Sequence, residues 1–302
     1  TRKELYHLPR VGDDCAILDM GGDLVALSTD PITSAAGHIG ALSVHINCND
    51  AAAAGAEPVG LLVTLLAPPH ATEAEIAEIA DELAETAKRV GVDILGGHTE
   101  VTDSVTRFIT STTVIARLRR EALLTGMQAG DDIVLTKWAG LEGSAVLASD
   151  FAHKLTGLSE QQLQKLRDLI EHISVVKEGA YAAAHGATAM HDVTEGGIYG
   201  AAWEMCFAAK TGMTLDQSAI PILPETALAC RILELDPMRL ISSGCMLIAC
   251  KNGADMAKGI RAMGIEASVI GKAGGEGLRL ADGTLIPPPG ADELYKLSLE
   301  KN

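Results

Sequence analysis

The most apolar stretch of the sequence, Val59 to Leu66, is only as long as a β-strand, with Glu57-Pro58 before it and Pro68-Pro69 after it. A membrane-spanning helix needs ~20 apolar residues, and prolines on both borders stop this run from growing into one. The residues that follow fix the class. Thr72 and Glu75 form a capping-box pattern, and Ile76, Ile79, Leu83, Ala87 and Val90 recur at helical spacing until Gly91. Glu73, Glu75, Glu78 and Glu82 read as the solvated side of that helix. Val92 to Leu95 is then a second strand, so strand, helix and strand alternate.

The same alternation extends in both directions. Ala16 to Asp19 and Leu24 to Thr29 read as strands around Gly21-Gly22, and Gly40 to Ala54 as an alanine-rich helix stopped by Gly55. A β-rich run covers Thr106 to Arg117. The charged stretch Arg117 to Glu121 then marks a boundary between domains 1–119 and 120–302. Beyond it come a strand at Asp132 to Thr136, a helical region from Ser144 to about His185, and a strand at Ala187 to Met190. A helix from Gly196 to Lys210 follows, then strands at Met246 to Ala249 and Ala267 to Ile270 around a helix at Asp255 to Met263. The fold class is α+β, built as α/β layers.

Composition narrows the function. Aromatics are 3% of the chain and the formal net charge is −16. Few stacking platforms and a strongly acidic surface argue against a nucleic-acid partner. Six cysteines without a CxxC pair or zinc spacing read as reduced, mostly buried thiols. A cytoplasmic location with no membrane partner is expected.

The chemistry concentrates in five oxygen-rich segments at strand ends or helix starts. They are Gly12-Asp13-Asp14, Ser28-Thr29-Asp30, Asn47-Cys48-Asn49-Asp50, Gly96-Gly97-His98-Thr99-Glu100 and His191-Asp192-Val193-Thr194-Glu195-Gly196-Gly197. Any one alone is ordinary turn or cap chemistry. Together they suit Mg²⁺, which takes hard oxygen ligands and shares them with nucleotide phosphates. The Asn47 to Asp50 tetrad is the odd one, because it interrupts an otherwise apolar helix. The Gly96-Gly97 segment reads as a loop, with Glu100 an open metal or substrate contact and Asp103 a turn residue.

In this order, GDD, LSTD, NCNDAAAAGAEP, GGHTE and HDVTEGG resemble the AIR synthase-related, or PurM-like, superfamily. It includes thiamine-monophosphate kinase, selenophosphate synthetase, formylglycinamidine ribonucleotide synthetase and the hydrogenase maturation factor HypE. The resemblance covers nearly the whole chain. It implies a two-domain fold, with an N-terminal domain pairing across a homodimer into a β-barrel and a C-terminal α+β domain. It also implies ATP and Mg²⁺ as cofactors. Carried over by position, Asp13, Asp30, Asp50 and Asp192 match metal-binding aspartates, with Glu195 a further metal candidate. Thr29, Asn47, Gly97, His98 and Thr194 match positions near the nucleotide.

The closest likeness is to HypE-like proteins, through the ND-x-A-x-x-GA-x-P helix end and Leu235-Asp236-Pro237-Met238 running on to Ile241-Ser242-Ser243-Gly244. The sequence departs from them at its end, where Glu293 to Asn302 contains no cysteine and the last is Cys250. Thiamine-monophosphate kinases carry an arginine where Leu124-Thr125-Gly126 stands, and selenophosphate synthetases need a reactive segment absent here. The resemblance implies an ATP-dependent phosphotransferase or dehydratase-type activator of a small carboxamide, carboxylate or similar group. The alternatives are a non-catalytic nucleotide-binding homodimer that docks a maturation partner protein, and a thiamine-monophosphate-kinase-like small-molecule kinase.

Overall fold

Strands β1 (Ala16–Asp19) and β2 (Leu24–Ile32) form a hairpin whose turn uses Gly21 at φ +88°. In this computed structural model, which describes residues 2–6, 14–33 and 38–298, the chain divides into two compact units. The first closes at Leu123 and the second runs on from Leu124. Asp13 lies outside the described residues. A short 3₁₀ turn, Arg120–Ala122, stays with the first unit, where Arg120 donates to Asp19 Oδ2 at 2.7 Å and to Gly22 O at 3.2 Å.

The N-terminal unit continues with helix α1 (Ile39–Ala53), β3 (Glu57–Ala67), α2 (Glu73–Val90), β4 (Asp93–Val101) and β5 (Ile109–Leu118). Its sheet runs β1-β2-β5-β3-β4, antiparallel except for the parallel pair β3–β4. Helix α1 packs against β2, β5, β3 and α2, and 14 of its 15 residues are buried, so it has no solvent face to be amphipathic for. By contrast α2 forms as its pattern predicts. Its Thr72–Glu75 capping box is present, Gly91 ends it at φ +87°, and Ile79, Leu83 and Ala87 are buried.

Two expectations for this unit change. The Gly96-Gly97 segment is strand, not loop, because β4 runs through it to Val101. Gly97 is needed there for pairing: its φ is +150°, and a Cβ would collide with the carbonyl of Val63 on β3. Glu82 is not simply solvated either. It reaches α1, whose N-cap His38 makes no side-chain cap, and accepts from the Gly40 N–H at 2.8 Å. Gly40 admits this contact, since a Cβ there would stand 2.7 Å from Ile79 O.

The sheet leaves several apolar side chains uncovered. Val59 and Leu62 on β3 and Ile94, Leu95 and Val101 on β4 are exposed, and β4 is exposed along its whole length.

The second unit comprises β6 (Asp132–Thr136), α3 (Leu141–Asp150), α4 (Glu160–Arg167), α5 (Val176–Ala184), β7 (Ala187–Val193), α6 (Gly197–Ala209) and β8 (Met213–Leu215). It continues with α7 (Pro224–Ile232), β9 (Cys245–Cys250), α8 (Gly253–Ala262), β10 (Ala267–Ala273), β11 (Leu278–Leu280), β12 (Leu285–Ile286) and α9 (Leu294–Ser298). Its seven-stranded sheet runs β12-β11-β8-β10-β6-β9-β7, with only β8–β11 parallel. Strand β9 is buried at every residue, as a continuous apolar run at a sheet interior should be. Both units mix helices and strands, as the α+β expectation holds.

At the end of β6, Lys137 adopts φ +57° and is 5% exposed. Its Nζ donates to Ser174 O and Gly244 O, each at 2.7 Å, and pairs with the buried Glu178 carboxylate at 2.6 Å. This pins the Ser242–Cys245 turn.

Candidate functional site

In the N-terminal unit the polar tetrad sits inside buried α1. Asn47, Cys48 and Asn49 are fully enclosed and Asp50 is nearly so. Such groups are tolerable only with partners, and β2 supplies them at its period of two. Ser28 Oγ donates to Asp50 Oδ2 at 2.5 Å, and the Asp30 N–H donates to Asn47 Oδ1 at 3.0 Å. Asn47 Nδ2 in turn donates to Ser43 O at 3.0 Å. Asp30, Asn47 and Asp50 therefore belong to one seam between β2 and α1.

Thr29 does not join them. Strand alternation turns it to the other face, where its hydroxyl donates to Thr112 O and accepts from Thr113 Oγ1, both at 3.0 Å. Cys48 is no nucleophile: burial, then the neighbouring Asp50 charge, push its thiol up to about 12. All six cysteines are buried and free. His98 and Glu100 lie on exposed β4, 3.7 Å apart as a surface pair.

In the C-terminal unit, β7 delivers His191 and Asp192 in buried positions, then turns through Thr194 and the exposed Glu195 into α6. Gly196 and Gly197 have φ of +79° and +61°, and a Cβ on Gly197 would lie 2.6 Å from Met238 O and 2.7 Å from Leu240 O. Only glycine permits that approach. His191 faces two oxygens: Nδ1 donates to Asp192 O at 2.7 Å, and Nε2 lies 2.9 Å from Glu204 Oε2. Since the carbonyl can only accept, the first nitrogen carries a proton.

Two further groups around this turn escaped the sequence reading. The Gly196 N–H donates to Asp292 Oδ2 at 2.8 Å, bringing a carboxylate to the head of α6. Burial, with Glu195 and Glu293 nearby, raises the Asp292 carboxyl above its ordinary value against the two backbone N–H groups that lower it. Glu142, in the first turn of α3, is pushed up to about 7, chiefly by burial and further by Glu195 and Asp292, while its hydrogen bond to Ser243 opposes the shift. Its Oε2 is sheltered and has no hydrogen-bond partner. An acid at a helix start is ordinary in a sequence, so only the packing exposes Glu142 as unusual.

The donor chemistry fits a hard dication. Asp30 and Asp50 in the first unit offer carboxylate oxygens where β2 meets the last turns of α1, and Asp192 and Glu195 in the second offer theirs just before the start of α6. Residues 12–118 match the N-terminal domain, and residues 128–282 the C-terminal domain, of AIR synthase related protein.

The chain belongs to the AIR synthase related family.

Within that family it is similar to the carbamoyl dehydratase HypE of Cupriavidus necator, 31% identical over a stretch covering 80% of this chain and 70% of that one. The HypE-like expectation thus stands. A crystal structure of a HypE–HypF complex matches with a TM-score of 0.78 at 21% identity, covering 93% of this chain and 94% of the other. A crystal structure of hydrogenase maturation protein HypE in complex with ATP matches with a TM-score of 0.72 at 20% identity, covering 92% and 88%. These likenesses establish the two-domain fold of the family. Among the described residues, no helix is long and apolar enough to cross a membrane.

Proposed function

We propose that this protein is an ATP- and Mg²⁺-dependent activator of a small carboxamide, acting as a homodimer. The observation that carries the reading is the seam in which buried Asp50 and Asn47 of α1 are held by Ser28 and Asp30 of β2. A helix does not bury four polar or polarisable side chains for packing alone; a charged ligand repays that arrangement. The family relative named as a carbamoyl dehydratase and the ATP complex of a HypE support the substrate class and the nucleotide.

Asp30 and Asp50 would hold Mg²⁺ on the N-terminal unit, and Asp192 with Glu195 on the C-terminal one. Mg²⁺, when bound, neutralises phosphate charge. Asn47, Gly97, His98 and Thr194 are the proposed nucleotide neighbours, and Ser28 fixes the Asp50 carboxylate for its task. The reaction transfers the γ-phosphoryl group to the carboxamide oxygen and releases ADP. The C–O bond then breaks as the two N–H protons leave, so the products are a nitrile and inorganic phosphate. Homodimerisation would use the open edge strand β4 and the sheet face that carries the exposed Val59 and Leu62, which a second copy would cover. The HypE–HypF complex favours a second reading, in which the same dimer also docks a maturation partner protein.

The test is a thermal-shift titration with Mg²⁺-ATP, since a ligand of the native state must stabilise it, combined with phosphate release in the presence of simple carboxamides. A shift abolished by Asp50→Asn, with carboxamide-dependent phosphate release, is expected. The nucleotide reading fails if no shift occurs, and the enzyme reading fails if the shift comes without phosphate release.

A further inference from the structure

A cavity of about 450 Å³ lies in the second unit, between the end of α6 and the turn that leads from β10 into β11. Small-molecule sites run from ~300 to ~1,000 Å³, so this one has room for a small metabolite. One wall is aromatic. Trp203 and Phe207, one helical turn apart on α6, stack with ring centroids 5.3 Å apart and planes 16° from parallel. The chain has only three Phe and two Trp, and one of each lines this cavity, with Phe207 55% exposed. A stacked pair left facing open space has a flat apolar face to offer a ring. The opposite wall is backbone. The Gly212 N–H donates to Gly275 O at 2.9 Å, and a Cβ on Gly212 would lie 2.6 Å from Gly277 O. The turn is thus clamped from behind, while nothing stands within 4 Å of a Cβ position on Gly275.

Two opposite charges border the space. Lys210 ends α6 in the left-handed conformation, at φ +51°, where glycine is the usual residue. Glu276 stands in the facing turn. Among the described residues neither side chain has an ion-pair partner, and they do not pair with each other. A purely anionic ligand would confront Glu276, a purely cationic one would confront Lys210, and an apolar one would use neither. A ligand with one charge of each sign and a flat ring satisfies all the lining groups. We propose that this cavity binds a free aromatic α-amino acid as its zwitterion, with its ring on Phe207 and Trp203, its carboxylate at Lys210 and its ammonium at Glu276. The ammonium also gains from the neighbouring aromatic faces.

The experiment is a saturation-transfer NMR titration of the full chain with L-phenylalanine, phenethylamine, hydrocinnamate and L-alanine. Wild type is expected to bind phenylalanine with a millimolar or better Kd, about threefold or more tighter than each of the other three. Lys210→Gly keeps the left-handed helix end without its charge, and should erase the preference over phenethylamine alone. Glu276→Gln should erase the preference over hydrocinnamate alone. Phe207→Ala should weaken all three ring compounds by about threefold or more. The proposal is overturned if wild type does not bind phenylalanine, or if a single-charge analogue matches it. It is equally overturned if either charge variant keeps the wild-type preference, or if Phe207→Ala binds like wild type. Should Phe207→Ala fail to fold, the two charge variants, both at exposed positions, decide. None of these residues belongs to the proposed nucleotide site, so failure here leaves the proposed function standing.

Discussion

Replacing Glu142 by glutamine should stabilise the protein, and more so as pH rises. In the folded state its carboxyl is held up at about 7 against an ordinary 4.5, so folding favours the protonated form. Below pH 4.5 both states are protonated and the group contributes nothing. Between pH 4.5 and 7 the unfolded chain ionises first, and stability falls. Above pH 7 the full penalty of an ionised, poorly partnered carboxylate is present. That gap corresponds to ~3 kcal/mol, and because solvent reaches part of the side chain the realised value is ~1–3 kcal/mol. Glutamine removes the titration. Both tryptophans, Trp138 and Trp203, lie in the C-terminal unit, so their fluorescence during urea unfolding reports the unit that contains Glu142. The stability difference between variant and wild type should be small at pH 5 and near its maximum at pH 8. An equal difference at the two pH values would falsify the claim that Oε2 lacks a partner.

Other perturbations test the frame. Ser28→Ala removes the 2.5 Å bond to Asp50 and should cost ~1–3 kcal/mol, with weakened Mg²⁺-ATP stabilisation in the same thermal-shift assay. Lys137→Met leaves Glu178 buried without its cation and should cost ~3–5 kcal/mol, whereas Lys137→Met with Glu178→Leu should recover much of it in urea melts. Leu95→Lys on exposed β4 should leave the monomer's stability within ~0.5 kcal/mol and shift sedimentation toward monomer; an unchanged oligomer would remove that strand from the interface.

What the sequence disclosed follows the range of the interactions involved. The Thr72–Glu75 box and the Ile79, Leu83, Ala87 stripe are local, and both are in the structure. The Asn47 to Asp50 tetrad was visible as an anomaly, but its holders, Ser28 and the Asp30 N–H, come from a strand some twenty residues away. Gly96-Gly97 misled because glycine pairs signal turns in isolation; here the demand came from the Val63 carbonyl of a parallel neighbour. Thr29 looked like a companion of Asp30 until strand alternation turned it away. Glu142 and Asp292 gave no local signal, since one pairs with Ser243 and the other with Gly196, each about a hundred residues distant.

The missing local cap of α1 also bears on how the protein folds. Its head is completed by Glu82, 42 residues along the chain, and almost none of its surface is stable in water. A segment like this gains little from nucleating alone, and its contacts are mostly non-local, which slows assembly. Helix α2, with its own capping box, is the natural early element, and α1 condenses onto it and the sheet late. Deleting the Glu82 carboxylate should then retard refolding less than it hastens unfolding. If α1 docks last, the Asp50 carboxylate takes its place only at the end of folding, and on the proposed function a partly folded chain would then have no grip on nucleotide.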